Sequence, residues 1–381
     1  MSPPVYLDYN ATTPVDPAVA EAMLPWLREH FGNPSSDHPY GRRAAQAVAA
    51  AREAVAGLIG ASPAVLFFTG CATEANNLAL RGVARALRER GRHLIISAVE
   101  HPSVVAPAER LRADGWEVTV LPVNEYGQVD PQVLEAALRP DTVLVSVMLA
   151  NNEVGTLQPV AELSALTRPR GILLHTDAAQ AVGKIPVDVN DLGVDLLTLA
   201  GHKFYTPKGV GALYVRPGTS IEPLLVGGGQ ERGLRPGTEN VPHIVALGVA
   251  AQLAVQGLGR ESERLRGLRD RLHARLQAVI PGLRLNGHPD QRLPNTLNLS
   301  FPDVTGRALL EAAADSIAAS VGSACHEDSD AVSGVLAAMG VSPERARGAV
   351  RLSAGRFTSD GDIDRAADVL LAAHAGLAAR D

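Results

Sequence analysis

Short runs rich in β-branched and apolar residues alternate with longer Ala/Arg/Leu-rich amphipathic stretches through the first two thirds of the chain. The strand candidates are Val65–Phe68, His93–Ser97, Glu117–Leu121, Thr142–Met148, Ile172–Thr176, Asp195–Leu199 and Gly211–Val215. Helix candidates between and before them are Arg42–Leu58, Glu74–Arg90, Ser103–Asp114, Pro131–Leu138 and Val160–Thr167. Strand and helix alternating at this spacing predict βαβ units, an α/β fold with a mostly parallel sheet covered by helices. Ligands of such sheets bind at the carboxyl ends of the strands, so the residues just after each strand are the ones to inspect.

A Gly- and Pro-rich loop interrupts the alternation from about Arg216 to Asn240. Helical periodicity resumes at Val241, and a smaller α/β unit follows, with strands at Thr296–Ser300 and Arg351–Ser353 and a last helix from Asp360 to Ala378. The expected division is a large domain over residues 15–253 and a small domain built from 1–14 and 254–381. With 381 residues, two domains fit the usual domain size. A net charge of −6 offers no basic surface for a sequence-independent grip on nucleic acid. No apolar run in the sequence approaches the ~20 residues of a membrane span. The two cysteines, Cys71 and Cys325, make neither a disulfide framework nor a C-x-x-C metal pattern, and the start has no signal-peptide character, so the expected location is cytoplasmic.

Three strand ends carry chemistry. After Val65–Phe68 comes TGCATEANN, where small residues let backbone N–H groups and the Thr73 hydroxyl approach a phosphate at a helix N-terminus. The same residues equally suit a plain helix start capped by Thr73 or Asn76. After Ile172–Thr176 comes Asp177, an aspartate at a buried strand end that needs a partner. After Asp195–Leu199 comes Lys203. It is one of only three lysines, with Lys184 and Lys208, in a chain that otherwise uses arginine. Lysine can lose its proton and attack a carbonyl carbon, which arginine cannot. A phosphate turn, an aspartate and a lysine at the ends of strands in one sheet suit pyridoxal 5'-phosphate: a Schiff-base lysine, an acidic partner for the pyridinium nitrogen and donors for the phosphate. Dinucleotide binding is disfavoured, since no G-x-G-x-x-G follows a strand and opens a helix.

The segments YLDYNATTP (Tyr6–Pro14), FGNPSS (Phe31–Ser36), ATEANN (Ala72–Asn77), VEHPSV (Val99–Val104), ANNEVG (Ala150–Gly155), HTDAAQ (His175–Gln180), GHKFY (Gly201–Tyr205), GGGQERGLRPGTEN (Gly227–Asn240), GSACH (Gly322–His326) and RLSAGRFT (Arg351–Thr358) resemble those of cysteine desulfurases. These belong to the class V aminotransferase-like branch of fold-type I pyridoxal-phosphate enzymes. The short stretch between Cys325 and Arg351 resembles the group that supplies iron–sulfur cluster assembly and tRNA thiolation. RPGTEN and SACH are equally similar to selenocysteine lyases, which leaves selenocysteine lyase as the alternative.

The resemblance implies Lys203 as the Schiff-base lysine and His101 as the residue stacked on the ring and assisting proton transfer. It implies Asp177 against the pyridinium nitrogen, Gln180 on the ring oxygen and Asn152 beside the ring near the substrate. It puts Ala72, Thr73 and His202 on the phosphate, and Thr238 there from the neighbouring subunit of a homodimer. Arg351 would hold the carboxylate of L-cysteine, and Cys325 would take the sulfur as a persulfide and pass it to an acceptor protein. Free cysteine is often only a small buried hydrophobe, but GSACHEDSD lacks apolar periodicity and reads as a loop. The chain departs from the family at Ala200 for a serine, at Gly70 and Cys71 for serine and glycine, and at Thr206 for glycine. Cys71 is expected as a buried filler beside the phosphate, and Lys184 and Lys208 as exposed.

Overall fold

The computed structural model describes residues 3–322 and 333–379. Twelve strands are found among them: β1 (Val5–Tyr6), β2 (Leu66–Thr69), β3 (His93–Ser97), β4 (Glu117–Leu121), β5 (Thr142–Ser146), β6 (Leu173–Asp177), β7 (Leu196–Ala200), β8 (Gly211–Val215), β9 (Arg284–Asn286), β10 (Thr296–Ser300), β11 (Ile317–Ala318) and β12 (Ala349–Ser353). Seven form one sheet in the order β2-β8-β7-β6-β5-β3-β4. From β7 to β4 all neighbours run parallel, and β8 pairs antiparallel with both β7 and β2. The mostly parallel α/β architecture read from the alternation is therefore present. From β3 the chain passes outward to β4, then returns to place β5 on the other side of β3. This reversal opens a crevice at the carboxyl ends of β3 and β5, where ligands of such sheets bind.

The strands of this sheet are largely apolar on both faces because helices cover both. The Pro39–Leu58 helix begins where the His38 side chain accepts the Gly41 N–H and Pro39 presets φ. It buries Gly41, Ala44, Val48, Ala51 and Val55, a stripe at three- and four-residue spacing, against the Val241–Gln277 helix. At Gly248 a Cβ would lie 2.7 Å from the Ala51 Cα, so glycine is what lets these two helices approach.

The Val241–Gln277 helix, 37 residues long, is one continuous element rather than two. One stretch of it is long and apolar enough to cross a membrane, with mean hydropathy 1.5, which the sequence reading did not anticipate. One face of that apolar half is packed inside the protein: Ile244, Leu247, Ala250, Ala251 and Ala254 join the core on one face of the large sheet. From Leu265 onward the same helix packs in a second core with β10, β12 and the Asp360–Ala378 helix. Val5 and Leu7 of the N-terminal segment also lie in that second core. There β9, β10 and β12 form an antiparallel sheet, and β1 pairs in parallel with β11. Strand ends differ from the sequence reading by up to two residues, as at β5 and β12.

The loop of residues 216–240 is held by a buried ion pair. The Arg52 guanidinium donates to both oxygens of Glu231 at 2.7 and 2.6 Å, and Glu231 Oε2 also accepts the Phe68 N–H at 2.9 Å. The side chains are 13% and 2% exposed. Glu231 and Arg232 both sit at positive φ, 47° and 56°, so the pair holds a strained backbone. Removing one partner leaves a buried charge uncompensated. Arg52→Met should cost about 3 kcal/mol of unfolding free energy, read from the shift of the denaturant midpoint. A change within ~0.5 kcal/mol, the range of an ordinary surface substitution, would show that the pair does not hold this loop.

Candidate active site

The carboxyl ends of β3, β5, β6 and β7 bring the candidate residues together. Asp177 ends β6 and is buried, with Oδ2 accepting from Asn76 Nδ2 at 2.7 Å and Oδ1 from the Ala179 N–H at 2.9 Å. Asn76 Nδ2 also donates to Ser103 Oγ at 2.8 Å, and Ser103 Oγ lies 2.7 Å from His101 Nδ1. The Ser103 N–H donates to that same Nδ1 at 3.1 Å. A backbone N–H can only donate, so the neutral ring carries its proton on Nε2. Burial and the nearby Lys203 lower the His101 pKa, against the opposing pull of Asp177. A chain of side chains thus fixes His101 relative to Asp177.

Lys203 ends a short turn, Gly201–Lys203, that follows β7. Its Nζ donates to the carbonyls of Asn10 and Ala11 at 2.5 and 2.9 Å. The backbone just beyond is unusual: Tyr205 has φ 75° and is held there by a hydrogen bond from its N–H to Thr13 Oγ1 at 2.8 Å. His202 Nδ1 lies 3.2 Å from Thr12 Oγ1, and burial together with Lys203, Lys208 and Lys184 pushes its pKa down to about 4. Gln180 is buried and donates from Nε2 to the Asn10 carbonyl at 2.9 Å. Arg351 of β12 is 2% exposed, bonded to Asp8 Oδ1 at 2.7 Å and to the Asn152 carbonyl at 3.1 Å. Asn152 follows β5, so Arg351 reaches the sheet's crevice from the second core.

The Ala72–Leu87 helix starts after β2, and no side chain caps its N-terminus. The sequence reading of a helix capped by Thr73 or Asn76 is not what forms: the Asn76 amide is engaged with Asp177 and Ser103. Glu74 accepts the Gly70 N–H at 2.8 Å and pairs with Arg235 at 2.8 Å, which ties the loop carrying Thr238 to this turn. Thr238 itself is exposed, and among the described residues no hydrogen bond joins it to the other candidates.

Two expectations are corrected. Cys71, expected as a buried filler, is exposed as the residue preceding the helix, because the turn projects from the sheet end. Lys184, expected on the surface, is 7% exposed, since Gly183 at φ 79° turns the chain back inward. Cys325 lies outside the described residues. Its flanks are anchored near the site: Ser333 Oγ donates to Glu153 Oε2 at 2.5 Å, and Ser320 bridges to Arg351.

Sequence reasoning missed Glu100. It is buried beside His101, with Oε1 accepting from Ser97 and the Met148 N–H and Oε2 without a partner. Burial raises its pKa to about 8. Its position between a strand end and His101 was the only signal available.

With this geometry in place, comparison with known proteins is informative. Residues 5–366 match the family Aminotransferase class-V. "Cysteine desulfurase IscS" of Dictyoglomus turgidum is 48% identical over 96% of this chain and 93% of its own length. A solved structure described as a NifS-like protein superposes with TM-score 0.91 at 39% identity, covering 98% of this chain and 99% of that one. Another, described as SspA in complex with cysteine, gives TM-score 0.82 at 37% identity over 93% and 99%. The chain belongs to the class-V aminotransferase family, a family of pyridoxal-phosphate-dependent enzymes. Within it, the chain groups with the cysteine desulfurases.

The Glu100 carboxyl supplies a pH test. Its folded pKa lies above the unfolded value, so the native state binds the extra proton and stability falls as pH rises through the window from 4.5 to about 8. Glu100→Gln removes that titration. The variant should gain on the parent across this window by on the order of 4 kcal/mol, measured as the difference in unfolding free energy at pH 5 and about pH 8. Parallel pH profiles for the two proteins would rule out a protonated Glu100.

Proposed function

We propose that this enzyme holds pyridoxal phosphate on Lys203 and moves the sulfur of L-cysteine to Cys325 as a persulfide, releasing L-alanine. The observation that carries the reading is the convergence of Lys203, Asp177 and an uncapped helix N-terminus at neighbouring strand ends. The residues present fit the cofactor. The uncapped amides at Ala72 and Thr73 suit a phosphate, Asp177 suits a protonated pyridine nitrogen, and Gln180 offers an amide donor for the ring oxygen. His202, neutral at ordinary pH, is a further phosphate donor. Pyridoxal phosphate, once bound, supplies an electron sink for the charge that develops at the substrate Cα.

The chain's own groups do the rest. The planar fork of Arg351 takes the substrate carboxylate in competition with Asp8, with Asn152 alongside. Lys203, as a free amine, would remove the Cα proton. His101, fixed by Ser103 with its proton on Nε2, is placed to pass protons at the same face. The Cys325 thiolate attacks the substrate sulfur: the new S–S bond forms as the substrate C–S bond breaks. Protons returned to the carbon skeleton give alanine, so L-cysteine and one enzyme thiol become L-alanine and one enzyme persulfide. An unperturbed thiol is only a few per cent ionised at pH 7, so a base in the site is required. The persulfide then passes to an acceptor protein, in iron–sulfur assembly or thiolation. The solved relative described with cysteine supports this substrate class.

Two variants test the reading together. Lys203→Ala should stay folded and lose the yellow absorbance of covalently held cofactor, and borohydride should no longer label the chain. A label recovered on Lys184 or Lys208 overturns the assignment. Cys325→Ser should keep the absorbance and its early change on adding cysteine, yet lose alanine production. Near-parental turnover in Cys325→Ser would exclude Cys325 as sulfur acceptor. Efficient cleavage of selenocysteine with cysteine left almost untouched would favour the selenocysteine lyase alternative.

The exposed Thr238, on a loop tied to the phosphate turn through Arg235 and Glu74, supports a homodimer in which Thr238 completes the partner's phosphate site. Light scattering should give two chains per particle, and a fully active monomer would sink this part.

A further inference from the structure

Lys184 has no part in the assignment above. Its Nζ donates to Gln180 Oε1 at 2.7 Å and to Asn10 Oδ1 at 3.4 Å, and among the described residues no carboxylate pairs with it. Burial, reinforced by Lys203 and Arg351, holds its pKa well below the usual lysine range. A buried amine without a counter-ion is costly unless it is bonded, so its bonds have a purpose beyond packing.

Those bonds settle an ambiguity. An amide side chain can present either oxygen or NH2 to a ligand. Gln180 Nε2 faces the Asn10 carbonyl, which can only accept, and Gln180 Oε1 faces Lys184, which here donates. One Nε2 hydrogen is used on Asn10, and the second remains. The Asn10 amide is fixed by the same logic, its Nδ2 donating to the Asn152 carbonyl and Thr296 and its Oδ1 accepting from Lys184 and Asn295.

We propose that Lys184 is a positioning residue: by occupying Gln180 Oε1 it fixes the amide so that the free Nε2 hydrogen is offered to the ring oxygen of pyridoxal phosphate. This rests on the assignment of Gln180 and Lys203 to the cofactor.

The test uses the full-length parent, Lys184→Met, Gln180→Ala and the double variant, each stripped of cofactor and titrated with pyridoxal phosphate. Loss of one buried hydrogen bond predicts about tenfold weaker binding in Lys184→Met. The ring-oxygen donor favours the anionic oxygen, so the yellow fraction of bound cofactor should fall relative to the shorter-wavelength form. Met matches Lys in volume and relieves the burial of an amine without a counter-ion, which offsets the Gln180 Oε1 left unbonded, so the thermal midpoint should change little. In the Gln180→Ala background, Lys184→Met should change neither affinity nor spectrum further. Parental affinity and spectrum in Lys184→Met, additive effects in the double variant, or a loss of affinity that tracks a lowered midpoint each overturn the proposal. Should Lys184→Met not fold, Lys184→Gln, too short to reach both partners, is judged by the same outcomes. A parent that shows no yellow absorbance with pyridoxal phosphate overturns the cofactor assignment itself, and this inference falls with it; a yellow parent with an unaffected Lys184→Met overturns this inference alone.

Discussion

Asn10 is the residue on which the site's geometry converges. It is 1% exposed, and its backbone and side chain are bonded on every side. Its N–H donates to Ser353 Oγ of β12, and its carbonyl accepts from Lys203 and Gln180. Its side-chain amide reaches Asn152, Thr296, Asn295 and Lys184. Each bond contributes only about 1 kcal/mol, but a buried donor or acceptor left unmade costs as much or more. The arrangement therefore has one low-energy orientation. It also joins the two cores, since Ser353 and Thr296 belong to the small sheet and Gln180 and Lys203 to ends of the large one.

Around this hub the charge is unevenly distributed. Lys203, Lys184 and Arg351 cluster in a site where Asp177 and Asp8 are already bonded to Asn76 and Arg351. Burial, and after it the nearby lysines, pushes His202 down to about 4, and burial lowers His101 although Asp177 pulls it up. A buried positive site favours ligands bearing phosphate and carboxylate groups and disfavours further protonation of its own amines. Such surroundings suit the role proposed for Lys203, first as nucleophile and then as base. Arg351 already grips Asp8, so no bare guanidinium is left buried, and the substrate carboxylate proposed for it would replace one carboxylate with another.

Much of the fold was legible because hydrophobic period and strand length are local properties. β3, β4, β8 and β10 occur where the sequence placed them, β2, β5, β6, β7 and β12 shift by up to two residues, and the short β1, β9 and β11 were not anticipated. Lys203 and Asp177 stood out because they lie at strand ends, Gln180 and His101 through the family resemblance, and the sheet topology brings these strand ends together. What was not legible depends on long-range packing. Nothing near Lys184 in the sequence announces that its amine turns inward to Gln180 and Asn10. The Arg52–Glu231 pair joins residues 179 apart, and no local pattern links a helix arginine to a loop glutamate. Cys71 was misread because neighbouring small residues suggest burial, whereas the turn that carries it projects outward. Glu100 escaped notice because a buried carboxyl looks in sequence like any other acidic residue.

The division of roles along the chain follows from where rigidity is available. The groups proposed to orient the cofactor lie at ends of a sheet covered on both faces, fixed by bonds to a neighbouring helix and to the N-terminal segment: Asp177 to Asn76, and Gln180 and Lys203 to the Asn10 carbonyl. Substrate recognition is assigned to Arg351, which approaches from the second core and meets Asn152 across the crevice. The chain enters and leaves the segment carrying Cys325 at this same boundary: Ser320 bridges to Arg351, and Ser333 bonds Glu153, the neighbour of Asn152. Both ends of that segment are thus attached at the crevice, one beside the arginine proposed for the substrate carboxylate and the other at the crevice wall, which suits the sulfur transfer proposed for Cys325.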